Sequence, residues 1–146
     1  AFYDDTTLES VTIPSSVTSI GFYAFYGCTK LKSITIPNSI TEIGEGTFSG
    51  CTSLSSVSIG DGVTTIGERA FWGCDSLTSV YCKATTPPTL GNYVFWRYNH
   101  IWNPVKLYCY IYVPAASVEA YKSASGWSSY VSDIVGYDFD NGVVVE

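Results

Sequence analysis

The chain has 146 residues, 46% of them hydrophobic, which suffices for one domain with a buried core. A net charge of −6 with only 7 Lys and Arg argues against a phosphate-backbone ligand, because nucleic-acid binders carry clustered basic faces. No apolar run of about 18 residues exists to span a membrane, and no signal-peptide pattern is present.

From its first residues the chain repeats with a period of 23. Leu8, Leu31, Leu54 and Leu77 share one position, and the same offset relates Val11, Ile34, Val57 and Val80, with Ile13, Ile36 and Ile59 beside them. Later in each unit come Val17, Ile40 and Val63, then Ile20, Ile43 and Ile66, then Phe25, Phe48 and Phe71. A fixed period of this length signals a solenoid whose units touch only their neighbours. Ala1-Phe2 matches Ala24-Phe25 and Ala70-Phe71, so the chain opens in the second half of a unit; with no Met anywhere, it reads as an excised piece of a longer protein.

Each unit is read as strand, turn, strand, helical turn. Leu-x-x-Val-x-Ile alternates with period two and forms a short strand with its apolar side inward. Pro14-Ser-Ser, Pro37-Asn-Ser or Gly60-Asp-Gly reverses the chain. Val-x-x-Ile-Gly gives a second short extended piece, and Phe-x-Gly-Cys is too short for more than one helical or 3₁₀ turn, with Phe in the core. A lone coil buries too little apolar surface to offset the ordering of its backbone, so units must stack and both ends need covers.

Cys28, Cys51 and Cys74 occupy one repeat position. Coils about 5 Å apart bring neighbouring Cα atoms within disulfide range. In-register side chains point the same way, however, and a column of three leaves one unpaired, so free buried thiols are expected. Cys82 takes the core slot of Ile13, Ile36 and Ile59; Cys109 lies four strand positions out of step with it, about 13 Å and too far for a bridge.

After Val80 the repeat degrades. Thr85-Thr-Pro-Pro-Thr-Leu90 replaces the second strand, Phe95 follows one residue late, and residues 92–105 hold an insertion with Trp96, Tyr98, His100 and Trp102. Aligning Ile111-x-Val113 with Val80-x-Cys82 gives a spacing of 31, about eight residues more than a unit, and such extra length projects from one face. Pro114 to Ala124 reads as the one proper helix, with Pro near its first turn and Gly126 past its end. Val118, Tyr121 and Trp127 line the side that covers the last coil. The expected division is a solenoid over 1–107, a capping strand and helix over 108–137, and a tail, closing strand or linker, over 138–146.

The pattern L-x-S-[VI]-x-I-P-x-S-[VI]-T-x-I-G-x-x-[AT]-F-x-G-C over residues 1–83 resembles the BspA-like leucine-rich repeats of bacterial surface proteins. Lys83-Ala-Thr-Thr-Pro-Pro-Thr-Leu and Tyr112-Val-Pro-Ala-Ala-Ser-Val-Glu-Ala-Tyr-Lys with Gly126-Trp127 resemble that family's closing segment. The resemblance implies an α/β repeat solenoid, a right-handed leucine-rich-repeat coil with short parallel strands and one-turn helical segments, capped by a C-terminal helix. It further implies a secreted or surface-exposed, non-catalytic adhesion module. The Trp-rich insertion and Gly60-Asp-Gly depart from the family pattern.

Catalytic chemistry is thinly represented. His100 is the only histidine, has no Asp or Glu close in sequence, and reads as a loop residue packing on aromatics; no HExxH, phosphate loop or Cys-x-x-Cys occurs. Neither a cofactor nor a metal is expected: Asp138-Phe-Asp140-Asn-Gly142 has its Gly a position early for a calcium loop. Glu45 and Glu68 could in principle meet across coils, but both are expected simply as solvated surface carboxylates.

Two columns are candidate partner-binding surfaces. The strand's outward positions give Ser10, Ser33, Ser56 and Ser79, then Thr12, Thr35, Ser58 and Tyr81, a flat array of hydroxyls that also simply suits an exposed strand. The residues after the core Phe are Tyr3, Tyr26, Ser49, Trp72 and Trp96, to which the insertion adds Tyr98 and Trp102. These aromatics suit a protein partner or a glycan, and equally suit stacking on one another. The reading is an extracellular adhesion module that binds a host or bacterial surface protein, with glycan recognition or a structural spacer role as alternatives, and neither nucleic-acid binding nor membrane insertion.

Overall fold

The computed structural model describes residues 2–145; Ala1, matched above to the repeat, and Glu146, at the end of the tail, lie outside the described residues. The strands in chain order are β1 (Ser19–Ile20), β2 (Ser33–Ile36), β3 (Glu42–Ile43), β4 (Ser56–Ile59), β5 (Thr65–Ile66), β6 (Ser79–Cys82), β7 (Thr89–Leu90), β8 (Trp96–Tyr98), β9 (Pro104–Lys106), β10 (Tyr110–Pro114), β11 (Ile134–Asp138) and β12 (Val143–Val144). One α-helix, α1 (Val118–Ser123), is flanked by 3₁₀ segments at Ala115–Ser117 and Trp127–Asp133.

Alternation of β-branched and hydroxyl residues makes β2, β4 and β6 bury every second side chain, and the parallel register Ile34↔Val57↔Val80 puts like on like. The same sheet continues through Ile111 to Ile134, and β12 closes its far edge antiparallel to β11. A second parallel sheet joins β1, β3, β5 and β7 through Ile20↔Ile43↔Ile66↔Leu90. The second strand therefore persists in the degenerate unit, where Thr85 to Leu90 suggested its loss: the extra residue is absorbed before Thr89, which still pairs with Thr65.

A third set of bonds ties the coils through their turns. The N–H of Phe25, Phe48 and Phe71 donates to the carbonyl of Thr47, Ala70 and Val94 in the next coil at 2.8, 2.8 and 3.1 Å. Within each turn segment the bonds run i to i+3, as Cys28 N–H to Phe25 carbonyl, but no helix develops. A residue in the left-handed region interrupts it in every unit: Tyr23, Gly46, Arg69 and Tyr93 at φ 56°, 61°, 56° and 58°.

Core side chains stack on their own copies. Phe25, Phe48 and Phe71 are buried and follow one another at 5.2 Å with planes 6° apart. Leu31, Leu54 and Leu77 are buried and Leu8 half-buried in the same file. The five cysteines are free and buried. Cys28, Cys51 and Cys74 donate their thiol to the Phe2, Phe25 and Phe48 carbonyls of the preceding coil at 3.1, 3.1 and 3.2 Å. In the third coil Gly60-Asp61-Gly62 passes directly over the turn below: a Cβ at Gly62 would run into the Asn38 carbonyl oxygen, and Asp61 N–H donates to Asn38 Oδ1 at 3.0 Å.

The two ends differ. Residues 10–13, expected as a strand, are irregular; Lys32 N–H reaches the Glu9 carbonyl at 3.3 Å, and Val11, Ile13 and Val17 are only half-buried around an open cavity of about 580 Å³. The other end is closed. Tyr121 and Trp127 are fully buried, with the Tyr121 hydroxyl donating to the Ala84 carbonyl at 2.6 Å and the Trp127 indole to the Pro88 carbonyl at 2.7 Å. Ser117 donates to the Thr85 carbonyl at 2.8 Å. The irregular stretch 84–88 thus serves as a row of carbonyl acceptors for the cap, a use that prolines, which lack an N–H, do not impair.

Candidate functional site

Along the broad sheet the outward column begins with hydroxyls and ends with phenols. Thr35, Ser58, Tyr81, Tyr112 and Val135 are in register, beside Ser33, Ser56, Ser79 and Tyr110. Thr12 is exposed but lies in the irregular first coil, out of the ladder. Tyr81 stacks on Tyr112 at 4.7 Å with planes 16° apart, and Tyr137 meets both at 5.3 and 5.4 Å. Phe139 extends the group at 4.9 Å from Tyr137, and Tyr110 stands 58% exposed at its edge. Burial among its neighbours pushes the Tyr112 phenol above its usual value, so its proton remains available as a donor at neutral pH.

Sequence reasoning identified Tyr81 alone of these rings. Tyr112 and Tyr137 sit in strands whose register becomes visible only once Ile111 and Ile134 are placed beside Val80. The spacing from Ile111 to Ile134 again equals one repeat, which is the signal that could have found them.

The residues that follow the core Phe form two separate groups. Tyr26 stacks on Tyr3 at 5.0 Å, and the buried Ser49 divides them from the C-terminal group. There Trp72 meets Tyr93 at 5.9 Å and Tyr98 at 4.8 Å, Tyr93 meets Trp96 at 5.4 Å, and Tyr98 meets Trp102 at 5.9 Å, all edge-on. The Arg69 guanidinium lies over both Trp72 and Tyr93, at 5.3 and 5.8 Å. The insertion is a hairpin in which β8 pairs antiparallel with β9, and its turn is held by Asn99 Oδ1, which accepts from the Ile101 and Asn103 N–H groups at 3.0 Å each. That turn presents Trp102 at φ 62° and 78% exposed. Trp96 is half-buried because its indole donates to Tyr130 in the cap at 3.0 Å.

The other titratable groups singled out from the sequence are scattered over the fold. His100 is exposed on the hairpin turn. Glu45 accepts from the Tyr23 hydroxyl at 2.8 Å and Glu68 stands 3.9 Å from Arg69, so the two carboxylates do not act as a pair. Asp138 accepts from Asp140 and Asn141 and closes the 138–142 turn on itself. Burial pushes the Cys51 and Cys109 thiols up to about 12, which leaves them protonated and unreactive at neutral pH. No group of three metal-ligating side chains and no helix long and apolar enough to cross a membrane occurs among the described residues.

The family model described as "BspA type Leucine rich repeat region" matches residues 1–103 in 6 copies. Among solved structures, the chain is similar to a leucine-rich repeat protein from Bacteroides ovatus, at 27% identity with a TM-score of 0.42. That similarity covers 65% of this chain and 42% of the other, so the chain spans less than half of that protein's length. No curated protein matches.

Proposed function

The chain belongs to the BspA-type leucine-rich repeat family, and on that premise we propose that it is an adhesive binding module displayed outside a bacterial cell, with the broad sheet as its contact face. Repeats of this family are found in bacterial surface proteins and generally bind other proteins without catalysing reactions. The observation that carries the assignment of the face is the tyrosine group formed by Tyr81, Tyr110, Tyr112 and Tyr137 at the end of an in-register hydroxyl array. Tyrosine gives large, stiff, amphipathic contact area at low entropic cost, and small hydroxyls give adaptable hydrogen bonding; antibody paratopes use the same pair of residue types. A backbone fixed by three sets of inter-coil bonds holds these side chains without further ordering on binding.

In this reading residues 1–107 are the scaffold, 108–137 both cap it and complete the contact face with tyrosines, and 138–146 form the tail. The partner is a protein of the host or of a neighbouring cell. Thr35, Ser58 and Tyr81 contribute to the contact, while Thr12 is peripheral.

The test is capture from host extracellular extracts and intact bacterial surfaces by the wild-type chain and by Tyr112→Ala and Tyr137→Ala, with melting followed in parallel. A captured protein retained equally by both variants would place the contact elsewhere. Labelling of intact cells by an antibody to the chain tests display: labelling only after permeabilisation would refute it.

A further inference from the structure

A groove of about 420 Å³ lies on a different part of the surface, between the end of the last coil and the capping 3₁₀ segment. Tyr93, Trp96 and Tyr130 supply aromatic walls, and Asn92 and Ser129 supply an amide and a hydroxyl. No charged side chain lines it. We propose that this groove binds a neutral hexopyranose residue of a glycan, one face of the sugar on the rings and its hydroxyls on Asn92, Ser129 and Tyr130.

Two observations carry the assignment. The Tyr130 ring is buried, and its hydroxyl accepts from the Trp96 indole at 3.0 Å and from Phe95 N–H at 3.4 Å, leaving its own proton without an acceptor among the described residues. Burial pushes that phenol up to about 12, so it stays a donor across the physiological range. Next, the side chains of Asn92 and Ser129 are exposed and bond no protein group among the described residues, whereas the Ser129 carbonyl is already taken by Lys106 at 2.8 Å.

An uncharged cleft that combines aromatic faces with unpaired donors and acceptors matches a ligand having an apolar ring face and a rim of hydroxyls. A nucleotide or acidic peptide would need a free cation, and both cations near the groove are engaged: Lys106 bonds the Ser129 carbonyl at 2.8 Å and lies over the Tyr130 ring, and Arg69 lies over Trp72 and Tyr93. Beyond Tyr93, the chain of rings through Trp72 and Tyr98 to the exposed Trp102 offers faces for further sugars of the same oligosaccharide.

The experiment titrates the chain with methyl α- and β-glycosides of glucose, galactose, mannose and N-acetylglucosamine and with their linear trisaccharides. Tryptophan fluorescence and saturation-transfer NMR report binding. At least one sugar series should saturate. Asn92→Ala and Ser129→Ala should each weaken it about 5-fold, the loss of one hydrogen bond. Tyr93→Gly removes the ring yet suits the left-handed backbone, so it should fold and weaken binding about 10-fold or more. Tyr112→Ala on the sheet should leave the titration unchanged, which separates this site from the protein-binding face. Failure of every sugar to saturate, affinity unchanged in all three groove variants, or a groove that takes tyrosyl or glutaminyl peptides with no competition by sugar would each overturn the assignment.

Discussion

In the regular coils the Leu, Phe and Cys side chains of the core meet copies of themselves, whereas at the C-terminal end a core side chain meets strangers. Phe48 lies between Phe25 and Phe71 at 5.2 Å on both sides with planes 6° apart. Trp127, equally buried, meets Tyr121 at 81° and Phe95 at 50°, and is held by a hydrogen bond to the Pro88 carbonyl. The first region is stabilised by repetition: once one unit packs, its neighbours pack in the same way, and recurring polar groups such as the cysteine thiols find the same carbonyl partner in each coil. The second is stabilised by individually placed hydrogen bonds, because an end coil has no next copy to receive its surface. Unique contacts cost periodicity, but they also create grooves and clusters that no interior coil can have.

The contrast is sharpened most by truncating the stack. Phe48→Ala and Phe71→Ala should each destabilise the chain by about 3–5 kcal/mol in urea unfolding, and by the same amount within about 1 kcal/mol, because their surroundings are copies. A large difference between them would mean that the coils are not equivalent. Tyr121→Phe should cost less, about 1–3 kcal/mol, since the ring remains and only the hydroxyl bonds to Ala84 and Cys82 are lost. If Tyr121→Phe were silent, the cap would rest on packing alone, as the coils do.

These two regions were also unequally legible in the sequence. The files of Leu, Ile, Phe and Cys could be read directly, because a side chain that recurs at a fixed offset in a solenoid must stack on itself. The cap could be read only in outline. Tyr121 and Trp127 were recognisable as covering residues from the helix pattern, but their acceptors on Ala84 and Pro88 are backbone carbonyls, which carry no sequence signature. Tyr137 was invisible as part of a surface until β11 was known to lie beside β10. The helical turn expected at Phe-x-Gly-Cys became a run of tight turns, because the left-handed residue before it is Gly in only one unit and Tyr or Arg in the others. That conformation cannot be deduced from Tyr or Arg, which rarely adopt it.

The cysteine file allows a subtler comparison through pH. Burial raises Cys28, Cys51 and Cys74 above the usual 9.0, Cys51 to about 12. The folded state therefore holds protons that the unfolded state releases first. Stability from this source is fully present below pH 9 and is lost as pH climbs from about 9 towards 12, at up to about 1.4 kcal/mol per pH unit for each thiol. Urea midpoints measured from pH 7 to 10.5 should be flat, then fall, and Cys51→Ser should lessen the fall. A decline that begins well below pH 9 would show that the thiols reach solvent.

The smallest effect is expected where the surface is most regular, and it separates scaffold from contact. Thr35 and Ser58 are in register on the outward side of the sheet, and no side-chain hydrogen bond ties either to the fold among the described residues. Their alanine variants should shift stability by less than about 0.5 kcal/mol. By contrast, Ser39, Ser55 and Thr64 donate to carbonyls of the preceding coil at 2.6, 3.2 and 3.1 Å, so removing those hydroxyls should register on stability. If Thr35→Ala and Ser58→Ala weaken partner capture while leaving the urea midpoint in place, the outward hydroxyls serve the contact. If they lower the midpoint instead, the hydroxyls serve the strand, and the contact face contracts to the tyrosines at its C-terminal end.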